Sequence, residues 1–343
     1  MQPGTSTASP LRVAFLGCGF ITGVHSRHLK ALRGEVVCRY ASRDLARAEQ
    51  FSHRYGGDGA YGDYATAIAD PDVDAVVVAV PPRLHRDLAL EALRAGKHVL
   101  VEKPAFLSLQ DYETVCAARD QVERVVLVGE NDHYKPLAVT LRRLLSAGVI
   151  GDLVLAQFTT VARLPKKGDD WRNDEDLAGG DAFFEEGIHW LHLAGSLGPT
   201  ITRIDGYRPA PAANPGPGED RRVRSMLVAF AYDNGAVGAL YYSREVPSLL
   251  RGVRVSKLYG RDGVITFESN GGGVLVRGRG LPRIVFPGIR DVRGYEAMYR
   301  DFTAAIRTGR RPEMGLERAM ADHRLMERIY RRDKSGDSSR GLG

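Results

Sequence analysis

The run HVLVEKPAF, His98 to Phe106, passes from apolar residues straight to a glutamate, a lysine and a proline. A strand that ends on Glu102-Lys103-Pro104 delivers a carboxylate and an ammonium to its tip. The proline ring fixes its own backbone and biases Lys103 toward an extended geometry, which aims the lysine side chain. A lysine in a partly dehydrated pocket beside another cation has its charged form disfavoured, which brings it into range for proton transfer. Upstream, GCGFIT sets Gly17 and Gly19 directly after an apolar run and before a helical pattern. Glycines so placed allow a tight turn and a close backbone approach to a pyrophosphate held at the helix N-terminus, and the adjoining Phe20 and Ile21 are counted with them as cofactor-binding. The third glycine of that fingerprint is replaced by Thr22, and Gly23 follows.

Two further clusters extend the same chemistry. At the tip of the second apolar run stands ASRD, where an acid would bond a ribose hydroxyl. Ser42 and Arg43 suit a 2′-phosphate instead, so NADP(H) is favoured, while Asp44, one residue on, keeps NAD(H) open. VPPRLH ends the third run. Loops at the carboxyl ends of parallel strands line the ligand crevice, so Pro81 and Pro82 shape a wall by the nicotinamide ribose, and His85 either faces the same region or simply opens the next helix.

The elements that position these residues follow from periodicity. LRVAFLG, GEVVCRYAS, DAVVVAVPP and KHVLVEKP are short apolar runs, and DAVVVAV is continuous enough to be covered on both faces. Between them lie helical patterns, the first with Ile21, Val24, His28 and Leu32 at helical spacing, others closed by Gly56 and Gly96. This alternation predicts an α/β domain with a doubly wound parallel sheet of the Rossmann type over residues 10–128. The texture then changes to runs such as SMLVAFAYDNGAVGALYY, with hairpin signals at Asp233-Asn234-Gly235 and Asp262-Gly263. Residues 129–331 are therefore expected to form an α+β domain with a large, mostly antiparallel open sheet, closed by the amphipathic helices of YEAMYRDFTAAIRTG and GLERAMADHRLMERIYRR. Pro209–Arg222 reads as a loop inside that domain, and 1–9 and 332–343 as disordered tails.

Composition narrows the partners. The 343 residues carry a formal charge of +6, but the basic residues sit in short scattered groups such as Arg142-Arg143 and Arg310-Arg311, with no basic helix or aromatic platform for nucleic acid. The three cysteines are odd in number and lack metal-ligand spacing, so neither a disulfide framework nor a metal site is implied, and a reducing, cytoplasmic compartment fits best. No stretch reaches the roughly 18 apolar residues of a membrane span, and MQPGTSTASP lacks the charged and apolar regions of a signal peptide.

AGKHVLVEKPAFLS, with VPPRLH upstream and LGCGF at the start, resembles the glucose-fructose oxidoreductase, inositol dehydrogenase and MocA (Gfo/Idh/MocA) family over most of the chain. VGENDHYKP, LLSAGVIGDL and GGDAFFEEGIHWLHL match its entry into the second domain and its catalytic helix. The resemblance implies hydride transfer between nicotinamide and a secondary alcohol or ketone of a sugar, nucleotide sugar or cyclitol. It implies that Lys103, with Glu102 beside it, meets cofactor and substrate, that His189 is the acid/base, and that Glu185 stands at the usual aspartate. Asn131 and His133 fall at substrate-contacting positions. On a helix Glu185 and His189 share a face, so the carboxylate can orient the imidazole, while Glu186 points about 100° away. The family's sheet implies a homodimer or homotetramer.

There are departures: Glu for Asp at 185, His192 where an aspartate is usual, His133 for an arginine, Pro82 for an asparagine. Trp171 and Arg172, with Lys166 and Lys167, precede the catalytic helix and either contact the substrate or form a solvated loop. Two alternatives stay open, a cofactor-binding sensor of the same fold without turnover and an NAD-assisted glycosidase.

Overall fold

Leu11–Leu16 (β1) leads into Phe20–Leu29 (α1), Val36–Ala41 (β2), Leu45–Tyr55 (α2), Gly59–Tyr61 (β3), Tyr64–Ala69 (α3), Ala75–Val78 (β4), His85–Arg94 (α4), His98–Val101 (β5), Leu109–Val122 (α5) and Val126–Val128 (β6). There follow Pro136–Ser146 (α6), Leu153–Val161 (β7), Glu175–Ala178 (α7), Ala182–Gly195 (α8), Ile201–Tyr207 (β8), Ser225–Tyr232 (β9), Val237–Ser243 (β10), Val255–Gly260 (β11), Gly263–Glu268 (β12), Val274–Arg277 (β13), Arg283–Val285 (β14), Tyr295–Thr308 (α9) and Leu316–Ser335 (α10). The computed structural model describes residues 9–163, 175–210, 224–247, 254–269 and 271–335. Two units emerge, Met1–Asn131 with Gly294–Arg318, and Asp132–Arg293 with Ala319–Gly343.

The first unit is built on six parallel strands in the order β3-β2-β1-β4-β5-β6, the order of a dinucleotide-binding sheet. Val13, Phe15, Val76, Val77, Val99 and Leu100 are fully buried, as a sheet covered on both faces requires, and this is why the strands read as continuous apolar runs. Side chains of Asp44, Asp63 and Ser108 cap α2, α3 and α5 by accepting backbone N–H bonds, and Gly56 ends α2 in the left-handed region at φ 75°. The register is decisive for function. Leu16 pairs with both Ala41 and Val78, Val78 with Val101, and Val101 with Val128, so the strand ends form one row. Gly17, Ser42, Glu102 and Gly129 each follow one of those residues and therefore share one edge of the sheet.

The segment Gly294–Arg318, which the sequence reading placed in the second domain, packs with the first unit. Tyr295 and Tyr299 of α9 meet the His25 ring of α1 edge-on, with centroids 4.8 and 5.7 Å apart, and the backbone N–H of Val128 donates to Met314 O at 2.9 Å. Contacts made by residues so far apart in sequence leave no trace in periodicity. On α1 it is His25, fully buried, that faces inward, whereas His28 is only half-buried. The short elements β3, α3, β8 and β14 were not anticipated either.

The second unit carries an eight-stranded sheet, β14-β13-β12-β11-β7-β10-β9-β8, antiparallel throughout except for the parallel pair β7 and β10. Alternation puts Phe158, Leu240, Val228, Leu258, Ile265 and Val276 on a buried face. Leu155, Leu227, Val237, Tyr241, Val255 and Leu275 stand on the other, each 38–48% exposed. The Asn234-Gly235 turn forms as read, with Gly235 at φ 84°. The next hairpin instead turns on Arg261-Asp262. Gly263 opens β12, where a Cβ would lie 2.1 Å from the carbonyl oxygen of Arg277, so the strands can pair there only around glycine. Most of the Pro209–Arg222 loop lies outside the described residues.

Candidate active site

At the end of β1 the chain turns on Gly17, at φ 110°, where a Cβ would lie 2.5 Å from the carbonyl oxygen of Ala79. No side chain fits there. Gly19 caps α1 in an extended conformation, and a Cβ on it would meet nothing within 4 Å, so the N-terminus of α1 opens onto space. Thr22, in place of the third glycine, donates its hydroxyl to Gly17 O at 2.6 Å and ties the turn. The close-packing role falls one residue later, since a Cβ on Gly23 would lie 2.7 Å from the Tyr55 hydroxyl. Phe20 is exposed and Ile21 half-buried beside the turn.

Along the same edge, Ser42 is buried and its hydroxyl accepts the backbone N–H of Asp44 at 3.2 Å, while Arg43 is exposed. The Asp44 carboxylate accepts from Ala46 N at 3.1 Å as a helix cap. Arg47, which sequence reasoning missed, reaches back from α2 to donate its Nε to Cys18 O at 2.8 Å, inside the glycine turn. No helical period marked it, since Arg43 precedes the Asp44 cap and lies outside α2. Burial pushes the Cys18 thiol up to about 11, against the nearby Arg47 charge, so it is protonated at neutral pH.

Glu102 is 5% exposed, with Oε1 2.8 Å from Nε2 of His25 and Oε2 3.3 Å from the backbone N of Lys103. His25 Nδ1 lies 2.7 Å from the Tyr299 hydroxyl. One tautomer satisfies both contacts, with Nε2–H donating to the carboxylate and Nδ1 accepting from the phenol. Burial pushes Glu102 upward, but the hydrogen bond from His25 and the Lys103 charge outweigh it and hold the carboxyl below its ordinary 4.5. Burial raises Tyr299 well above 10.0, so it stays a phenol. A Cβ on Gly129 would lie 2.7 Å from Oε1 of Glu102, so a glycine makes room for the carboxylate. Lys103 is half-buried next to this anion, and its peptide bond to Pro104 is cis.

His85 opens α4 and is buried, with Nδ1 3.0 Å from Pro104 O and 3.1 Å from Ala105 O and Nε2 2.8 Å from Val80 O. The ring therefore staples the loop after β4 to the loop carrying Pro104. Burial pushes its pKa down, opposed by bonds to Val80 and Ala105 and by the Glu102 charge. Pro81 is half-buried on that loop.

In the second unit α8 presents Glu185 and His189 one turn apart, both half-buried. Asp181 caps this helix, accepting from Phe183 N at 2.9 Å and Phe184 N at 3.0 Å, and is itself held by Arg208 at 3.0 Å and the Tyr330 hydroxyl at 2.5 Å. Glu186 turns to the sheet, 2.5 Å from Arg244 and 3.0 Å from the Tyr242 hydroxyl, whereas Glu185 is 4.0 Å from Arg244. The division of labour between the adjacent glutamates follows the helical period. Gly187 is needed for packing: a Cβ there would lie 2.6 Å from the Phe183 ring. Asn131 and His133 are buried in the short helical turn Asn131–Tyr134. Trp171 and Arg172, with Lys166 and Lys167, lie outside the described residues.

The strand order, the glycine turn and the aligned strand tips define the first unit as a dinucleotide-binding unit of the Rossmann class. Residues 11–130 match the family description "Oxidoreductase family, NAD-binding Rossmann fold", and residues 138–266 match the Gfo/Idh/MocA C-terminal domain. The chain belongs to the Gfo/Idh/MocA oxidoreductase family. It is 36% identical over 197 residues to dTDP-3,4-didehydro-2,6-dideoxy-alpha-D-glucose 3-reductase of Actinomadura kijaniata, covering 55% of this chain and 57% of that protein. To 1,5-anhydro-D-fructose reductase of Ensifer adhaerens it is 35% identical over 164 residues, 47% of this chain and 48% of that one. These matches thus span about half of each relative. The fold is that of aldose-aldose oxidoreductase from Caulobacter crescentus, solved with glycerol, at a TM-score of 0.84 and 23% identity over 97% of this chain and 100% of that one. Among the described residues no helix is long and apolar enough to cross a membrane.

Proposed function

We propose that the protein is an NAD(P)-dependent oxidoreductase acting on a secondary alcohol or ketone carbon of a sugar, nucleotide sugar or cyclitol. The observation that carries this reading is the shared sheet edge, which puts the glycine turn after β1 and the Lys103 loop after β5 along one row of strand ends. A pyrophosphate suits the turn, since Gly17 admits no side chain and the space over Gly19 is open at a helix N-terminus. When bound, the nicotinamide supplies the hydride acceptor or donor at C4. Lys103 polarises the substrate oxygen, with the buried Glu102 carboxylate beside it. His189 carries the oxygen's proton, and Glu185 orients the imidazole.

NADP(H) is the preferred cofactor. Asp44 is occupied as a helix cap, while Ser42, Arg43 and Arg47 are cationic or hydroxyl groups around the tip of β2, where a 2′-phosphate is expected. The apolar outer face of the second sheet is the homodimer or homotetramer surface, because so many adjacent exposed apolar side chains are unusual on a monomer. Fluorescence titration of the protein with NADPH and NADH, on wild type and Arg43→Ala, tests the reading. Tighter NADPH binding that weakens in the variant is expected, and binding of neither nucleotide overturns it.

A further inference from the structure

In the first unit the Glu102 side chain is bonded both to another helix and to the residue that follows it. Its Oε1 lies 2.8 Å from Nε2 of His25 on α1, and Nδ1 of His25 lies 2.7 Å from the hydroxyl of Tyr299 on α9. Its Oε2 accepts the backbone N–H of Lys103 at 3.3 Å. His25 is fully buried, with Tyr299 1% and Glu102 5% exposed. An ionised carboxylate can only accept, so Nε2 of His25 carries a proton directed at it, and a neutral ring leaves Nδ1 to accept from the phenol. Three bonds thus join Tyr299, His25, Glu102 and the Lys103 peptide nitrogen in one file.

Both ends of the file are fixed. Phe15, Tyr295 and Tyr299 meet the His25 ring edge-on, with centroids 6.0, 4.8 and 5.7 Å away. The next residue on α1 ties that helix to the sheet, since the Tyr40 hydroxyl of β2 donates to Ser26 Oγ at 2.9 Å and Ser26 donates to Thr22 O at 2.7 Å. At the other end the backbone N–H of Glu102 donates to Val78 O at 3.1 Å, just past the last residue of β5. Beyond it, side chains reach the loop backbone: Glu102 at the N–H of Lys103, and His85 at the carbonyl oxygens of Pro104 and Ala105.

We propose that His25 and Tyr299 are positioning residues for Lys103, which they hold through Glu102 at a fixed place relative to α1. The role rests on the oxidoreductase reading, in which the N-terminus of α1 takes the pyrophosphate and Lys103 the substrate oxygen. His25 lies on the second turn of α1, behind the Gly19 cap. One helix therefore carries both the end that faces the phosphates and the ring that sets the lysine loop, so nucleotide and lysine stay in register. Hydride transfer needs that register, because a misplacement of about 1 Å can cost about 10²-fold in rate. Tyr299 gives the return of α9 to the first unit a part in the chemistry.

The test follows amide hydrogen exchange by NMR in full-length protein labelled with 15N-lysine, without cofactor or substrate, with Lys103→Arg to assign the signal. His25→Leu removes the donor to Glu102, whereas the amide of His25→Gln keeps an N–H about where Nε2 stands. The Lys103 amide should exchange about tenfold faster or more in His25→Leu and near the wild-type rate in His25→Gln. Steady-state kinetics with NADPH, on whichever keto-sugar the wild type reduces, give the second readout. There kcat should fall by roughly 10–10²-fold in His25→Leu at little change in NADPH affinity, and recover in His25→Gln. A role in folding alone would lower stability and leave kcat per folded molecule unchanged. Wild-type exchange at Lys103 in His25→Leu, or wild-type kcat in that variant, would overturn the proposal. Should His25→Leu fail to fold by circular dichroism, Tyr299→Phe removes a single hydroxyl and must speed exchange at Lys103; the wild-type rate would refute it. A wild-type protein that binds no nucleotide counts against the oxidoreductase reading alone and leaves the exchange result standing.

Discussion

Glu102→Gln keeps the shape of a buried side chain and removes its charge. If the amide oxygen stays on Nε2–H of His25, the amide NH2 faces the backbone N–H of Lys103, donor against donor. If the amide flips, His25 must change tautomer to accept from it, and Nδ1–H then points at the Tyr299 hydroxyl, whose own proton loses its acceptor. Either way one buried donor is left unpaired, which costs about 1–3 kcal/mol, and a charge-assisted bond is lost as well. We expect a destabilisation of roughly 2–3 kcal/mol at neutral pH on this reasoning.

The pH dependence has a definite sign. Because the folded protein holds Glu102 below its ordinary 4.5, the ionised carboxylate contributes stability fully above that value and loses it as pH falls through the depressed folded pKa. Urea unfolding of wild type and variant at neutral pH and at a series of acid pH values reads both quantities. The gap should be widest at neutral pH and close on acidification. Equal stability at neutral pH, or a gap that widens in acid, would refute the account of the Tyr299–His25–Glu102 array.

Gly17→Ala forces a side chain into a left-handed backbone position 2.5 Å from the Ala79 carbonyl oxygen, and should abolish nucleotide binding in the fluorescence titration with a loss of stability of at least about 1–2 kcal/mol. Arg47→Ala should weaken NADPH binding more than NADH binding if the proposed 2′-phosphate site at the tip of β2 holds; equal losses would assign Arg47 to the glycine turn alone. Tyr241→Glu combined with Leu155→Glu places charges on the exposed face of the second sheet, and light scattering should report an oligomer for the wild type and the 37.6 kDa single chain for this variant.

Much of the first unit was legible because a buried parallel sheet writes itself as apolar runs, and caps such as Asp44 and stops such as Gly56 mark the helices between them. Lys103 was legible for the same reason, as a charged residue at the end of such a run. The groups around it were not. His25 and Tyr299 reach Glu102 from 77 residues upstream and through a helix 274 residues beyond His25, and no local period announces such contacts. His85 stood open between crevice and helix start; only coordinates show backbone carbonyls facing both of its ring nitrogens. His192 read as a departure from a pattern, and its contact with Asp322 reaches 130 residues along the chain. In the second unit, the parallel pairing of β7 with β10 joins strands far apart in sequence, which hairpin signals cannot foretell.

Lys103→Ala, assayed by NADPH fluorescence titration and by turnover on whichever keto-sugar or polyol the wild type uses, tests most directly whether Lys103 serves the chemistry. Nucleotide affinity should remain near the wild-type value while turnover falls by roughly 10²–10⁴-fold. Turnover at the wild-type rate in that variant would contradict the account.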